Sequence, residues 1–144
     1  MTVFLDTNIL LDYFDPQRKN HNESKKIIYL CYKRKLLGCI SVLSFTNMFY
    51  IMRKTHTINE RKNLLKLLKC FLEVIQVDTD IIDRALNNDN FGDFEDCVQY
   101  ECAKLANVDY IITGNIKDYK ENDVACVTPE AFLNLYETNN KTGD

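Results

Sequence analysis

Only two histidines, two prolines and four glycines occur in this 144-residue chain, and that scarcity narrows the field. No glycine-rich phosphate loop or dinucleotide turn can be drawn, and no Ser/His/Asp or Cys/His grouping points to nucleophilic catalysis. No apolar run approaches the roughly 20 residues of a membrane-spanning helix, and the N-terminus lacks the organisation of a signal peptide. The six cysteines, Cys31, Cys39, Cys70, Cys97, Cys102 and Cys126, include no C-x-x-C pair. With just His21 and His56 beside them, zinc is not expected. The cysteines fall mostly in apolar stretches, so the expectation is buried free thiols in a reducing cytoplasm.

What is present suits one globular domain. At 46% hydrophobic residues the chain can bury a core of ordinary size. We read a single domain over residues 1–137 and a polar tail over 138–144. The net charge of −3 conceals an asymmetry: residues 1–72 carry 13 Lys/Arg against 5 Asp/Glu, and residues 73–144 carry 5 against 16. Two explanations fit. Either a phosphate polymer is handled over a metal-binding acid cluster, or two halves of one fold complement each other.

Apolar runs alternate in kind along the chain. Val3, Phe4 and Leu5 read as a buried strand that runs into Asp6, two small polar residues and a new apolar run, with Thr7 or Asn8 as helix cap. Residues 10–14 form a short helical stretch broken at Asp15-Pro16. Residues 23–35 read as a helix, 36–42 as a strand, 44–54 as a helix capped by Ser44, and 60–72 as a helix capped by Asn59. A third strand follows at 73–77 and a helix at 80–87. Asp93 is placed to cap a helix to about 106, with Phe94, Val98, Cys102 and Leu105 facing the core. Strands at 109–113 and 124–127 and a helix opened by Pro129, ending near 137, complete the pattern. Alternating strands and helices predict a mostly parallel sheet covered on both faces.

That order brings acids to one place. Asp6 stands at the carboxyl end of the first strand, where open parallel sheets bind ligands. Asp93 and Asp96 share a face at the start of one helix, and Thr113, Asn115 and Asp118 leave the fourth strand at the same edge. Gathered carboxylates repel one another unless a cation neutralises them. Oxygen ligands select hard ions, Mg²⁺ or Mn²⁺. Such an ion can polarise a phosphate and lower the pKa of a bound water. Asp12 is expected in solvent, and Lys25, Lys26, Arg53 and Lys54 are candidate phosphate contacts.

The motifs Phe-Leu-Asp-Thr-Asn at 4–8, Asp-Phe-Glu-Asp at 93–96 and Ile-Ile-Thr-Gly-Asn-Ile-Lys-Asp-Tyr at 111–119 resemble those of the PIN-domain family, which includes VapC-type toxins. The resemblance implies a Rossmann-like three-layer α/β/α sandwich with a five-stranded sheet. It also implies an Mg²⁺- or Mn²⁺-dependent endoribonuclease, commonly a homodimer and often neutralised by an antitoxin. Asp6, Asp96 and Thr113 match the family's first metal acid, its acid before the fourth strand and its strand-end hydroxyl. Two positions depart. Asn47 stands where the family usually has Glu, and Asn115 where it usually has an acid, with Asp118 as a substitute three residues on.

Asp6, Asp96, Asp118, Asn47 and Asp93 are thus the metal candidates, and Asn115 and Thr113 join Asp6, Asp96 and Asp118 as catalytic candidates. The alternative is a degenerate PIN domain that binds RNA or a partner protein without cutting. A response-regulator receiver is set aside, because the adjacent acids of its first loop and the Lys after its last strand are missing.

Overall fold

The computed structural model describes residues 1–119 and 123–143. Five strands, β1 (Thr2–Leu5), β2 (Leu37–Ser41), β3 (Glu73–Ile75), β4 (Tyr110–Ile112) and β5 (Ala125–Val127), form one sheet in the order β3-β2-β1-β4-β5. Every pairing is parallel. Among the described residues, seven α-helices connect or follow them: α1 (Thr7–Phe14), α2 (His21–Tyr32), α3 (Val42–Ile51), α4 (Ile58–Lys69), α5 (Thr79–Leu86), α6 (Phe94–Leu105) and α7 (Pro129–Thr142).

Side chains alternate across each strand with a period of two, and this separates two cores. Val3, Leu5, Ile40 and Ile112 point to the face packed with Ile9, Leu10, Ile27, Ile28, Met48, Leu68 and Phe132 from α1, α2, α3, α4 and α7. Phe4, Cys39 and Ile111 point to the opposite face, packed with Ile81 and Ala85 of α5 and Val98, Tyr100, Cys102 and Ala103 of α6. The three layers expected from the alternating pattern are therefore present. Early in β2, a Cβ built on Gly38 would lie 2.6 Å from Leu72 and 2.7 Å from the Cys31 thiol, so a side chain there would force both neighbours to shift.

Several local boundaries differ from the sequence reading. Asp6, not Thr7 or Asn8, caps α1, accepting a hydrogen bond from the Thr7 N–H. Ser41 stands at the start of α3, while Ser44 lies a turn inside it and is fully buried. Thr57 rather than Asn59 opens α4, through a reciprocal capping box with Glu60. Phe94 and Leu105 are exposed at the two ends of α6, whose buried stretch instead runs from Cys97 to Ala103. Residues after 137 continue α7 to Thr142 as an exposed helix instead of fraying; Asp144 lies outside the described residues. Asp12 is buried, ion-paired with Arg18, and its carbonyl meets His21 Nδ1 at 2.8 Å. A carboxylate taken there needs such a partner, and the turn at Asp15-Pro16 brings Arg18 back to it.

None of the six cysteines is joined in a disulfide: Cys31, Cys39, Cys97 and Cys102 are buried, Cys126 half-buried, and Cys70 exposed against expectation. Burial pushes the thiols of Cys31 and Cys102 up to about 12 and that of Cys39 up to about 11. Among the described residues, no helix is long and apolar enough to cross a membrane.

Candidate active site

The strand order reverses beside β1, the position at which open α/β sheets bind ligands. Leu5 of β1 is in register with Ile112 of β4, so the residues that follow, Asp6 and Thr113, leave the sheet side by side. Asp6 N–H still donates to the Ile112 carbonyl at 3.0 Å, extending the ladder to the edge of the site.

The Asp6 carboxylate is buried and saturated with donors. Oδ1 accepts from Thr7 N–H at 2.7 Å. Oδ2 accepts from Thr113 Oγ1 at 2.8 Å, Asn8 Nδ2 at 3.1 Å and the Tyr119 hydroxyl at 3.2 Å. Burial pushes the Asp6 carboxyl above its usual range, and these hydrogen bonds oppose that shift. Tyr119 is itself held far above the ordinary phenol value, first by burial and then by the charges of Asp6 and Asp96, so it remains a donor. Asn8 Oδ1 accepts from Gly114 N–H at 3.1 Å, and Thr113 Oγ1 accepts from Asn115 N–H at 3.1 Å. The turn after β4 is thereby tied to the start of α1.

Beneath this corner lies a buried polar layer. Thr7 Oγ1 and Ser44 Oγ are 2.9 Å apart, and Gln99 Nε2 reaches each at 3.2 Å. Three residues from three helices, α1, α3 and α6, are thus fixed to one another next to Asp6. Asp93 caps α6 by accepting from Asp96 N–H at 3.0 Å, as the sequence suggested. Glu95 and Asp96 occupy the first turn, where the positive end of the helix dipole favours acids.

Charge is concentrated on this side. The Asp96 carboxyl is pushed up to about 7 by burial first, then by the charges of Asp6, Asp93, Asp118 and Glu95. The Glu95 carboxyl is also raised, by burial, Asp93 and Asp6. Neither ion pair found among the described residues, Arg18–Asp12 or Lys104–Asp123, draws on any of these acids. Among the described residues, the acids of the cluster thus press on one another rather than on a paired cation.

The structure brings together most of the residues singled out from the sequence. Asp6 and Thr113 touch, and Asp93, Asp96 and Asp118 share one electrostatic neighbourhood with Asp6. Asn115 enters through its backbone N–H, and its side chain is exposed. Asn47 reaches the cluster from α3, donating from Nδ2 to Glu95 Oε1 at 2.6 Å. Sequence reasoning did not single out Glu95, Tyr119, Asn8 or Gln99 for the site. Glu95 and Tyr119 lie within the motifs at 93–96 and 111–119, and Gln99 sits three residues beyond Asp96, on the same helical face. The candidate phosphate contacts are exposed: Lys25 and Lys26 rim an apolar groove of about 490 Å³ with Tyr29, Tyr32, Leu67 and Phe71, whereas the Arg53 guanidinium stacks 3.7 Å over the Tyr50 ring.

A switch-point site of this kind, on a five-stranded parallel sheet between two helical layers, defines a class, and the sequence agrees with it. The PIN domain family matches residues 2–117, and the chain belongs to that family. Over 142 residues the chain is 30% identical to Ribonuclease VapC1 of Aquifex aeolicus, covering 94% of this chain and 96% of the relative. Among solved structures, a toxin–antitoxin complex from Klebsiella pneumoniae superposes with a TM-score of 0.68 at 22% identity, covering 88% of this chain and 97% of that one. VapC20 of Mycobacterium tuberculosis, a toxin that cleaves the sarcin-ricin loop, gives 0.65 at 12% identity over 85% and 98% of the respective chains. Likeness at such identities speaks for the fold.

Proposed function

We propose that the chain is a metal-dependent endoribonuclease of the VapC type, hydrolysing RNA phosphodiesters at the Asp6 corner. The observation that carries this reading is the convergence of Asp6, Asp96, Asp93, Glu95 and Asp118 on one edge, where neither ion pair found among the described residues engages them. Membership of the PIN family and the ribonuclease relative support it. Among the described residues, no three His, Cys, Asp or Glu side chains form a ready-made metal cage. The donor set nevertheless fits Mg²⁺ or Mn²⁺, which bind through one or two carboxylates and keep several waters.

Asp6 and Asp96 would hold the ion, with Asp118, Asn115, Asp93 and Asn47 around it. A bound ion supplies Lewis acidity and a water of lowered pKa. Thr113, Asn8 and Tyr119 hold the Asp6 carboxylate in one orientation, so its oxygens need not reorganise during the reaction. Exposed lysines of the basic half, Lys25 and Lys26 on α2 and Lys54 after α3, receive the RNA backbone, which makes binding fall with salt.

A protein partner belongs to this reading. The solved toxin–antitoxin complexes of the same fold support an antitoxin for this chain, and a homodimer is expected alongside it. Both are checked by sedimentation of the chain alone and of the chain co-expressed with its genomic neighbour.

The deciding experiment is calorimetric Mn²⁺ binding by wild type and Asp6→Asn, with RNA cleavage followed in the same buffers. Asn caps a helix as well as Asp, so the variant stays folded while binding and cleavage disappear. The amides Asn47 and Asn115 favour the second reading, a PIN domain that binds RNA or a partner without cutting. Wild type that neither binds Mn²⁺ nor cleaves RNA, yet retains RNA, would establish that second reading.

A further inference from the structure

We infer that Glu95 supplies the negative charge on the α3 side of this site and that Asn47 is the residue that positions it. The inference rests on the ribonuclease reading and names a residue for it.

Asn47 and Glu95 lie 48 residues apart and meet at 2.6 Å, joining α3 to the first turn of α6. A carboxylate accepts and cannot donate, so the group facing it must be the amide nitrogen of Asn47. That bond occupies Oε1 of Glu95, leaving Oε2 for the site. Glu95 is an exposed residue at a helix start, and an unrestrained carboxylate there would swing into solvent. Here the bond to Asn47 restrains it, and Asp93 and Asp6 are the charges acting on it.

The pair also accounts for the amide at 47. An acid at that position would place a second carboxylate within hydrogen-bonding distance of Glu95, and the two would repel. An amide removes the repulsion and adds a donor. The site thus keeps an acid on its α3 side, supplied from α6. The dipole of α6 favours this arrangement, because three acids, Asp93, Glu95 and Asp96, sit at its positive end.

The test measures Mn²⁺ affinity by calorimetry on wild type, Glu95→Gln, Asn47→Ala, the double variant of those two, and Glu95→Gln combined with Asn47→Glu. Circular dichroism confirms the fold of each. Glu95→Gln is expected to weaken Mn²⁺ binding by about tenfold or more, the range seen when residues that orient metal ligands are removed. Asn47→Ala weakens it too, but adds nothing in the Glu95→Gln background, because its effect passes through Glu95. Moving the acid back, with Glu at 47 and Gln at 95, restores affinity to within a few-fold of wild type. Wild-type affinity in Glu95→Gln, alongside lost affinity in Asp6→Asn, overturns this inference and leaves the ribonuclease reading standing. So does an Asn47→Ala loss that adds in full to that of Glu95→Gln. Wild type that binds no Mn²⁺ overturns both.

Discussion

Asp6 and Asp96 act on each other by charge, and their surroundings differ in kind. Asp6 is buried among neutral donors, four of which point at its two oxygens. Asp96 is half-exposed among other acids, Asp93, Glu95 and Asp118, and the pressure on its carboxyl comes from burial and like charge. One side of the site is fixed by hydrogen bonds before anything binds. On the other, like charges press on one another. The contrast separates two arrangements that a list of acids merges: a carboxylate fixed by neutral donors, and one crowded by like charge.

The contrast breaks most directly at Thr113. Thr113→Val keeps the shape of the side chain but removes the hydroxyl that donates to Asp6 and accepts from Asn115 N–H. Hydrogen bonds to charged groups are worth roughly 1.5–3 kcal/mol, so a loss of about 2 kcal/mol is expected in urea denaturation of the metal-free protein. A loss below about 0.5 kcal/mol would mean that the neutral donors do not hold Asp6, and the contrast would be wrong.

The second expectation concerns the acid side and pH. The folded chain raises the Asp96 carboxyl from its ordinary 3.8 to about 7, so the folded state keeps a proton that the unfolded state releases. That contribution is fully present below about 3.8 and is lost as pH rises through about 7. Measured against Asp96→Asn, which cannot titrate, the wild-type protein without metal should lose relative stability as pH rises across this window. Saturating Mn²⁺ should remove the slope. A relative stability that is flat with pH in the absence of metal would show the acids to be less coupled than their placement implies.

The smallest effect is expected at Tyr119. Tyr119→Phe deletes the longest of the four bonds to Asp6, at 3.2 Å, while keeping the ring packed against Phe91. A stability loss of about 1 kcal/mol, with Mn²⁺ affinity changed less than by Glu95→Gln, would rank the donors as their distances do.

Much of this was legible in the sequence because it depends on residues close in the chain. Asp6 follows three apolar strand residues, Asp93 stands where a helix must begin, and Thr113 ends a second apolar strand; each position is set by local pattern. The α4 cap was misread although Thr57-Ile58-Asn59-Glu60 spells a capping box, because Asn59 offered a plausible cap nearer the apolar run. Other features depend on which helix faces which. Nothing near residue 47 announces a partner at residue 95, and neither Gln99 nor Ser44 reveals that it will meet Thr7. Asp12 looked solvated because its partner, Arg18, lies beyond a proline. Phe94 and Leu105 looked buried because they continue an apolar stripe, yet the stripe outlasts the layer that covers it.

The distribution of cysteines gives the protein a built-in clock. Cys31 lies in one core, whereas Cys39, Cys97 and Cys102 lie in the other, and Cys70 stands in solvent at the end of α4. A thiol reagent would mark Cys70 at once and reach the inner four as their layers part. Peptide mapping of a timed reaction would then report separately how often each face of the sheet opens, without adding a single probe to the chain.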